Sequence, residues 1–283
     1  MDLKQMMLED FTRAAAFVVL YVIIFLLAKW AKDFLIPYKL NEELAENDNF
    51  AVTLAMCGYY TATAAIFIGA LFGPTQDLAH DLMLVGSYSI LGLVFLNLSR
   101  FLNERFLLRT FCDTEHLVTQ QNISVGAVHC GVYIATGIIA AGAITGEGGS
   151  FISAIIFFLL GQISLFLFSF IYAYLAPYDV HKELEQKNIG AGIAFGGNLV
   201  ALSIIILNGV SGDFTSWQSD LLLFFSVNVM AFIFLPVVRY TMDSLVIPGN
   251  AISKEIRDDH NIGAGLLEAV IAISFATIVL QVM

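Results

Sequence analysis

The sequence predicts an all-α polytopic membrane protein of eight transmembrane helices, arranged as four parallel-repeat hairpins in two pseudo-symmetric four-helix halves. Three observations predict it. Of 283 residues, 58% (about 164) are apolar against only 13 Lys and Arg with 24 Asp and Glu, whereas a soluble domain carries about 25% charged and about 45–50% apolar residues. Apolar runs long enough to cross roughly 30 Å of hydrocarbon as helix recur eight times, and they are continuous rather than alternating, which excludes a β-barrel. Four Asn residues punctuate these runs at a repeating interval. Mean hydropathy is +0.81. Disorder is excluded by this hydropathy and nucleic-acid binding by the net charge of −11.

The spans follow in order. Span 1 (12–36) is preceded by MDLKQMMLEDFTR, which is acidic as well as basic and has no A-x-A site, so it is expected to be a retained span rather than a cleaved leader. Span 2 (50–73) begins after Asn49 and carries Ala51, Ala55, Gly58 and Ala62. Span 3 (82–102) follows the outer loop GPTQDLAHD, and span 4 (123–145) begins after Asn122 with Gly126, Gly131 and Gly137. Span 5 (151–176) follows TGEGGS and is bulky, as in Phe157-Phe158-Leu159-Leu160. Span 6 (189–210) begins after Asn188 with Gly190, Gly192, Gly196 and Gly197. Span 7 (219–242) follows NGVSGDFTSWQSD and is bulky again through Leu221 to Phe225. Span 8 (261–283) begins at Asn261 with Gly263, Gly265, Ala269 and Ala272. Small residues let helix backbones approach closely in lipid, so the even spans are expected at the centre and the odd ones facing lipid, with Gly58, Gly131 and Gly197 as packing positions.

The connectors set orientation. The loops after spans 1, 3, 5 and 7, with their flanks, hold Lys29, Lys32, Lys39, Arg100, Arg105, Arg109, Lys182, Lys187, Arg239, Lys254 and Arg257, which is 11 of the 13 cations. The loops after spans 2, 4 and 6 hold none, so the positive-inside rule places them outside and both termini outside with them. The outer surface then carries Asp2, Glu9, Asp10, Asp77, Asp81, Glu147, Asp213 and Asp220 against Lys4 and Arg13, a field that attracts cations. Avoidance of Lys and Arg for topological reasons accounts for the same pattern.

Asn49, Asn122, Asn188 and Asn261 are separated by 73, 66 and 73 residues, so first to third and second to fourth are both 139 apart. Pro37-Tyr38-Lys39-Leu40-Asn41-Glu42-Glu43-Leu44 matches Pro177-Tyr178-Asp179-Val180-His181-Lys182-Glu183-Leu184 at a shift of 140. Weaker echoes are Asp113-Thr114-Glu115-His116 and Pro248 with Glu255-Ile256. The chain therefore divides into residues 1–145 and 146–283, each of two hairpins. Because every hairpin has its short loop on the same side, the repeats are parallel rather than inverted, which weakens a rocking-transporter reading.

The string Pro-Tyr-x-x-x-x-Glu-Leu, a short polar stretch, then Asn followed nine residues later by Gly resembles the DUF350 family of small bacterial inner-membrane proteins of unknown function. Pro37, Tyr38, Glu43, Asn49 and Gly58 carry the match in the first repeat, and Pro177, Tyr178, Asp179, Glu183, Asn188 and Gly197 in the third. The second keeps Asp113, Glu115, Asn122 and Gly131 without the Pro-Tyr; the fourth keeps Glu255 and Asn261 but has Val270 in place of the Gly. The resemblance covers nearly the whole chain as tandem copies. It implies a bacterial inner-membrane location and, for some members, genomic association with polyamine-type ligases and membrane-stress proteins; it supplies no activity.

An ionisable group within a span is costly and is a functional hypothesis by default. Seven residues after each Asn stand Met56, His129, Phe195 and Glu268, so a His and the only carboxylate expected deep in a span share one repeat slot. At equal depth around an axis the two could relay a proton or coordinate a cation. A hydrogen-bonded pair fixing helix register, or no contact at all, are the other readings. The four Asn residues read either as N-caps or as a ring of amides at a cytoplasmic mouth. Tyr59, Tyr60, Thr61, Thr63, Asn97, Gln162, Asn198 and Asn228 read mostly as interhelical glue. Cys57, Cys112 and Cys130 show no CxxC spacing, and no catalytic, metal or cofactor motif is present. No enzyme, cofactor or nucleic-acid partner is expected. Two functions are: a channel or transporter-like conduit for protons or small cations through Glu268 and His129, or a non-conducting scaffold presenting acidic cytoplasmic loops, such as 41–48 and 255–259, to a soluble or membrane partner, with membrane lipid around it and a homo-oligomer as a further option.

Overall fold

The computed structural model describes residues 3–73, 76–106, 114–146, 150–247 and 250–283. Asp2, Arg109, Cys112, Asp113, Glu147 and Pro248 lie outside them, as do the side chains of Lys4 and Arg105. Among the described residues eight helices are long and apolar enough to cross a membrane: α1 Leu3–Leu35, α3 Phe50–Leu71, α4 Leu78–Phe106, α5 Ile123–Ile144, α6 Phe151–Leu175, α8 Ile189–Val210, α9 Trp217–Leu245 and α11 Ile262–Val282. Three short helices, α2 Leu40–Ala45, α7 Val180–Glu185 and α10 Ile252–Asp258, and a π-helical turn at Thr114–Thr119 fill stretches read from the sequence as loops.

One junction recurs four times, and its cause is local. Each short element is followed, two or three residues on, by a residue with positive φ, namely Asp48, Gln121, Lys187 and His260, directly before the Asn. That turn sends the Asn N–H back to a carbonyl of the short element: Glu43, His116, Glu183 and Glu255 respectively. The Asn side chain then caps the long helix, accepting from the N–H of Val52, Val125, Ala191 or Ala264. A helix start leaves its first N–H groups without intrahelical acceptors, and the amide oxygen supplies one. The cap reading of Asn49, Asn122, Asn188 and Asn261 is the one that the geometry matches.

The even spans do not surround an axis. They form a row, α3 against α5, α5 against α8, and α8 against α11, with α1, α4, α6 and α9 laid over one side of it. The reason is that α5 is small on two opposed stripes. A Cβ at Gly126 would lie 2.5 Å from the Ala51 carbonyl oxygen of α3, and one at Gly131 would lie 2.5 Å from the Gly196 Cα of α8. At the flanking junctions, a Cβ at Gly58 would lie 2.5 Å from the Cys130 Cα, and one at Gly197 would lie 2.2 Å from the Ala269 Cβ. A helix with two such stripes takes two neighbours on opposite sides, which propagates a line. The middle helices α5 and α8 are therefore the most buried, while α11, at the end of the row, exposes Leu266, Leu267 and Val270. The expectation of a small-residue centre holds for α5 and α8, and α11 departs from it.

The row also places the four Asn residues in series rather than in a ring. Asn49 Nδ2 donates to the Leu117 carbonyl (2.8 Å), Asn122 to Leu184 (2.8 Å) and Asn188 to Ile256 (2.7 Å), each reaching the short element of the next hairpin. Asn261 is exposed, and its Nδ2 donates to Glu255 Oε2 of its own short helix, at 3.0 Å. The convergent mouth expected as one reading is replaced by this chain of ties.

Candidate functional site

Glu268 projects from α11 into a cluster drawn from three other helices. Arg239 Nε of α9 lies 2.8 Å from Glu268 Oε1. Tyr172 of α6 donates its hydroxyl to the same oxygen at 2.9 Å, and Asn198 Nδ2 of α8 donates at 3.1 Å. The Arg239 guanidinium lies over the Tyr172 ring, 4.2 Å from its centroid, and 5.9 Å from that of Tyr178. Glu268, Tyr172, Asn198 and Tyr178 are buried. A carboxylate taken from water needs a counter-charge and hydrogen bonds to be tolerated, and one oxygen receives all three donors.

His129 is not among the partners of Glu268. It sits buried on α5, and α8 stands between α5 and α11. Its surroundings form a second cluster. Lys32 Nζ of α1 donates to Tyr133 Oη of α5 at 2.5 Å and lies over the rings of Tyr59 (5.4 Å) and Tyr133 (4.7 Å). Tyr59 Oη donates to the Ala28 carbonyl at 3.0 Å, and Asn97 Nδ2 of α4 donates to Tyr59 Oη at 3.1 Å. Arg100 Nη1 donates to the Leu35 carbonyl at 3.0 Å, and the His129 and Tyr133 rings lie 6.2 Å apart.

The two clusters correspond by number. Tyr59 and Asn198, Arg100 and Arg239, and His129 and Glu268 are each 139 apart, and Lys32 and Tyr172 are 140 apart. His129 and Glu268 therefore do hold one slot, but in two separate sites rather than on one path. Sequence reading counted Lys32, Arg100 and Arg239, at the ends of spans 1, 3 and 7, as loop-flanking cations; α1, α4 and α9 instead turn them inward, with Lys32 and Arg100 buried and the Arg239 side chain only 12% exposed. Glu268 is accordingly not alone among charged residues in the interior. The signal that finds Arg239 is its 139-residue spacing from Arg100, the interval already visible in the Asn series.

The motif acids have a plain role. Glu43 and Glu183 are buried and accept from the Nδ2 of Asn49 and Asn188, both at 2.7 Å, fixing the cap amide so that its oxygen faces the helix. Glu255 does the same for Asn261. Tyr178 packs against the Glu268 cluster, and burial pushes its phenol well above the ordinary range.

Two cavities touch the Glu268 cluster. One of about 500 Å³ lies between α6 and α9 and reaches Tyr172, Asn198 and Arg239. The other, about 10 Å³, touches Glu268 itself and is at the threshold for holding one water. Among the described residues no group of three His, Cys, Asp or Glu side chains is placed to hold a metal.

No solved structure matches the chain. It is similar to a UPF0719 transmembrane protein of Aquifex aeolicus (strain VF5), 24% identical over 253 residues, which is 87% of this chain and 90% of that protein. The family model described as Domain of Unknown Function (DUF350) matches twice, over residues 6–144 and 148–283. The chain is an integral membrane protein belonging to the DUF350 family, carrying the family's unit in two tandem copies.

Proposed function

We propose that the protein is a non-conducting scaffold of the bacterial inner membrane, with both termini outside, presenting its acidic short-helix face to a protein partner on the cytoplasmic side. The observation that carries this reading is the close-packed row. Backbone meets backbone at Gly58, Gly131 and Gly197, which leaves no axis between the small-residue helices along which a polar path could run. In the Glu268 cluster the charges are paired: Arg239 neutralises Glu268, and Tyr172 and Asn198 fill the remaining donor positions around Oε1. On the opposite side of the ledger of charges, the short-helix face exposes Asn41, Glu46, Asp48, Asp258 and Asp259, with Glu42 half-buried beside them. A partner with a basic surface would be drawn to it. A second copy of the chain is the further partner this reading admits, since the row of hairpins ends openly at α3 and α11.

The conduit for protons or small cations is the second reading, favoured by the buried ionisable pair and the cavity beside it. Proteoliposome flux separates the two. The scaffold predicts no flux above empty vesicles across a pH and cation series; flux that falls in Glu268→Gln and His129→Ala would establish the conduit instead. A pull-down from membranes that weakens when Glu46, Asp48, Asp258 and Asp259 are changed to Asn or Gln, and is indifferent to Glu268→Gln in chains that remain folded, is the positive result for the scaffold. Reporter fusions at Met283 test the orientation, with an external signal expected.

A further inference from the structure

We propose that the groove between α6 and α9 binds one phospholipid whose headgroup joins a phosphate to a primary ammonium, taken from the leaflet on the side of the short helices. The groove, about 500 Å³, lies between two helices of the outer layer, so it opens sideways to lipid rather than through the molecule. Phe168, Leu175 and Leu235 give it apolar walls for an acyl chain, and Leu175 and Tyr240 stand exposed at its edge. Pro236, also in the lining, cannot donate to the Phe232 carbonyl and removes one rung of α9 there.

The polar groups of the lining specify the headgroup. Arg239 is engaged through Nε, but its Nη2 is buried without a hydrogen-bond partner. A buried donor left unsatisfied is costly, more so on a charged group, and guanidinium nitrogens match phosphate oxygens in geometry. Asp243, four residues on, stands about 6 Å further along α9 toward the short-helix side. Its two oxygens accept from Ser253 N (2.7 Å) and Ser253 Oγ (2.9 Å), which leaves each with acceptor capacity to spare. A guanidinium on the deeper side and a carboxylate nearer the surface follow the order of phosphate and ammonium in a lipid headgroup.

Charge decides among headgroups. Arg239, Glu268 and Asp243 together leave one net negative charge, which opposes an anionic lipid and suits a zwitterion with its cationic end at Asp243. A primary ammonium offers N–H donors to that carboxylate, and a quaternary one has none. The site is independent of whether the protein conducts or scaffolds.

Native mass spectrometry of the full chain in detergent, titrated in parallel with phosphatidylethanolamine, phosphatidylcholine and phosphatidylglycerol, tests the assignment. One phosphatidylethanolamine per chain is expected, bound about tenfold more tightly than the other two, which corresponds to about 1.4 kcal/mol. Leu175→Trp, which fills the groove from an exposed position outside the polar cluster, should abolish that single adduct while the melting temperature is kept. Asp243→Asn should erase the preference over phosphatidylcholine. Equal retention of the three lipids, a preference for phosphatidylglycerol, or an adduct unchanged in Leu175→Trp would overturn the proposal.

Discussion

Arg239 and Glu268 form an ion pair between α9 and α11, Nε to Oε1 at 2.8 Å, with neither side chain more than 12% exposed. Breaking a buried pair by removing one partner leaves an uncompensated charge and costs about 3–5 kcal/mol, whereas replacing both with apolar groups is often neutral. Glu268→Leu is therefore expected to lower the melting temperature of the purified protein sharply. Adding Arg239→Met to it should recover most of the loss, because the orphaned guanidinium is then gone. Additive losses in the double variant would show that the pair does not act as a unit.

The Asn residues rank by position in the row. Asn122 and Asn188 each cap a helix and tie the next hairpin through a buried amide hydrogen bond, so Ala at either should cost about 1 kcal/mol for the cap and about 1 kcal/mol more for the lost tie. Asn261 caps from an exposed position and has no onward tie. Asn261→Ala should cost only the cap. Denaturation midpoints of the three variants give the order directly, and an Asn261→Ala as damaging as the others would contradict it.

Two glycines should respond to the same change in opposite directions. A Cβ at Gly131 would meet the Gly196 backbone at 2.5 Å, so Gly131→Ala must push α5 and α8 apart and should destabilise strongly. At Gly86 of α4 the nearest atom to a Cβ would be Leu20 Cδ1, at 3.7 Å, an ordinary contact. Gly86→Ala should gain up to about 1 kcal/mol from helix propensity alone. Thermal unfolding of the two variants side by side measures the contrast.

Tyr178 gives a pH signature. Burial raises its phenol above the unfolded value of about 10, so the folded state holds this proton more tightly than the unfolded one. The associated stability is complete below about pH 10 and is lost as pH rises beyond it. Tyr178→Phe should reduce this alkaline loss in a melting-temperature profile from pH 8 to 11, and an unchanged slope would remove Tyr178 as its source.

Much of the fold was legible in one dimension. The eight spans follow from length and apolarity, the capped helix starts from an Asn preference that acts within three residues, and the packing glycines from the absence of a side chain. The equivalence of His129 and Glu268 was legible too, as a count from the preceding Asn. Their separation was not. A count fixes depth along a helix and says nothing of which helix stands beside it, and α8 stands between them.

Arg239 shows the same limit from the other direction. Near the end of span 7 it reads as a membrane-flanking cation, because an apolar run does not say which way each of its helix faces points; α9 turns Arg239 inward over the Tyr172 ring. The sequence by itself determined that this is an eight-span membrane protein with a repeated Asn-capped unit, since those features rest on interactions within a few residues of each other. Only the tertiary structure decided that the units line up in a row rather than a ring, and that Glu268 answers to Arg239 rather than His129. Both depend on the direction each helix face points and on what meets it there, and residues far apart in the chain settle that together.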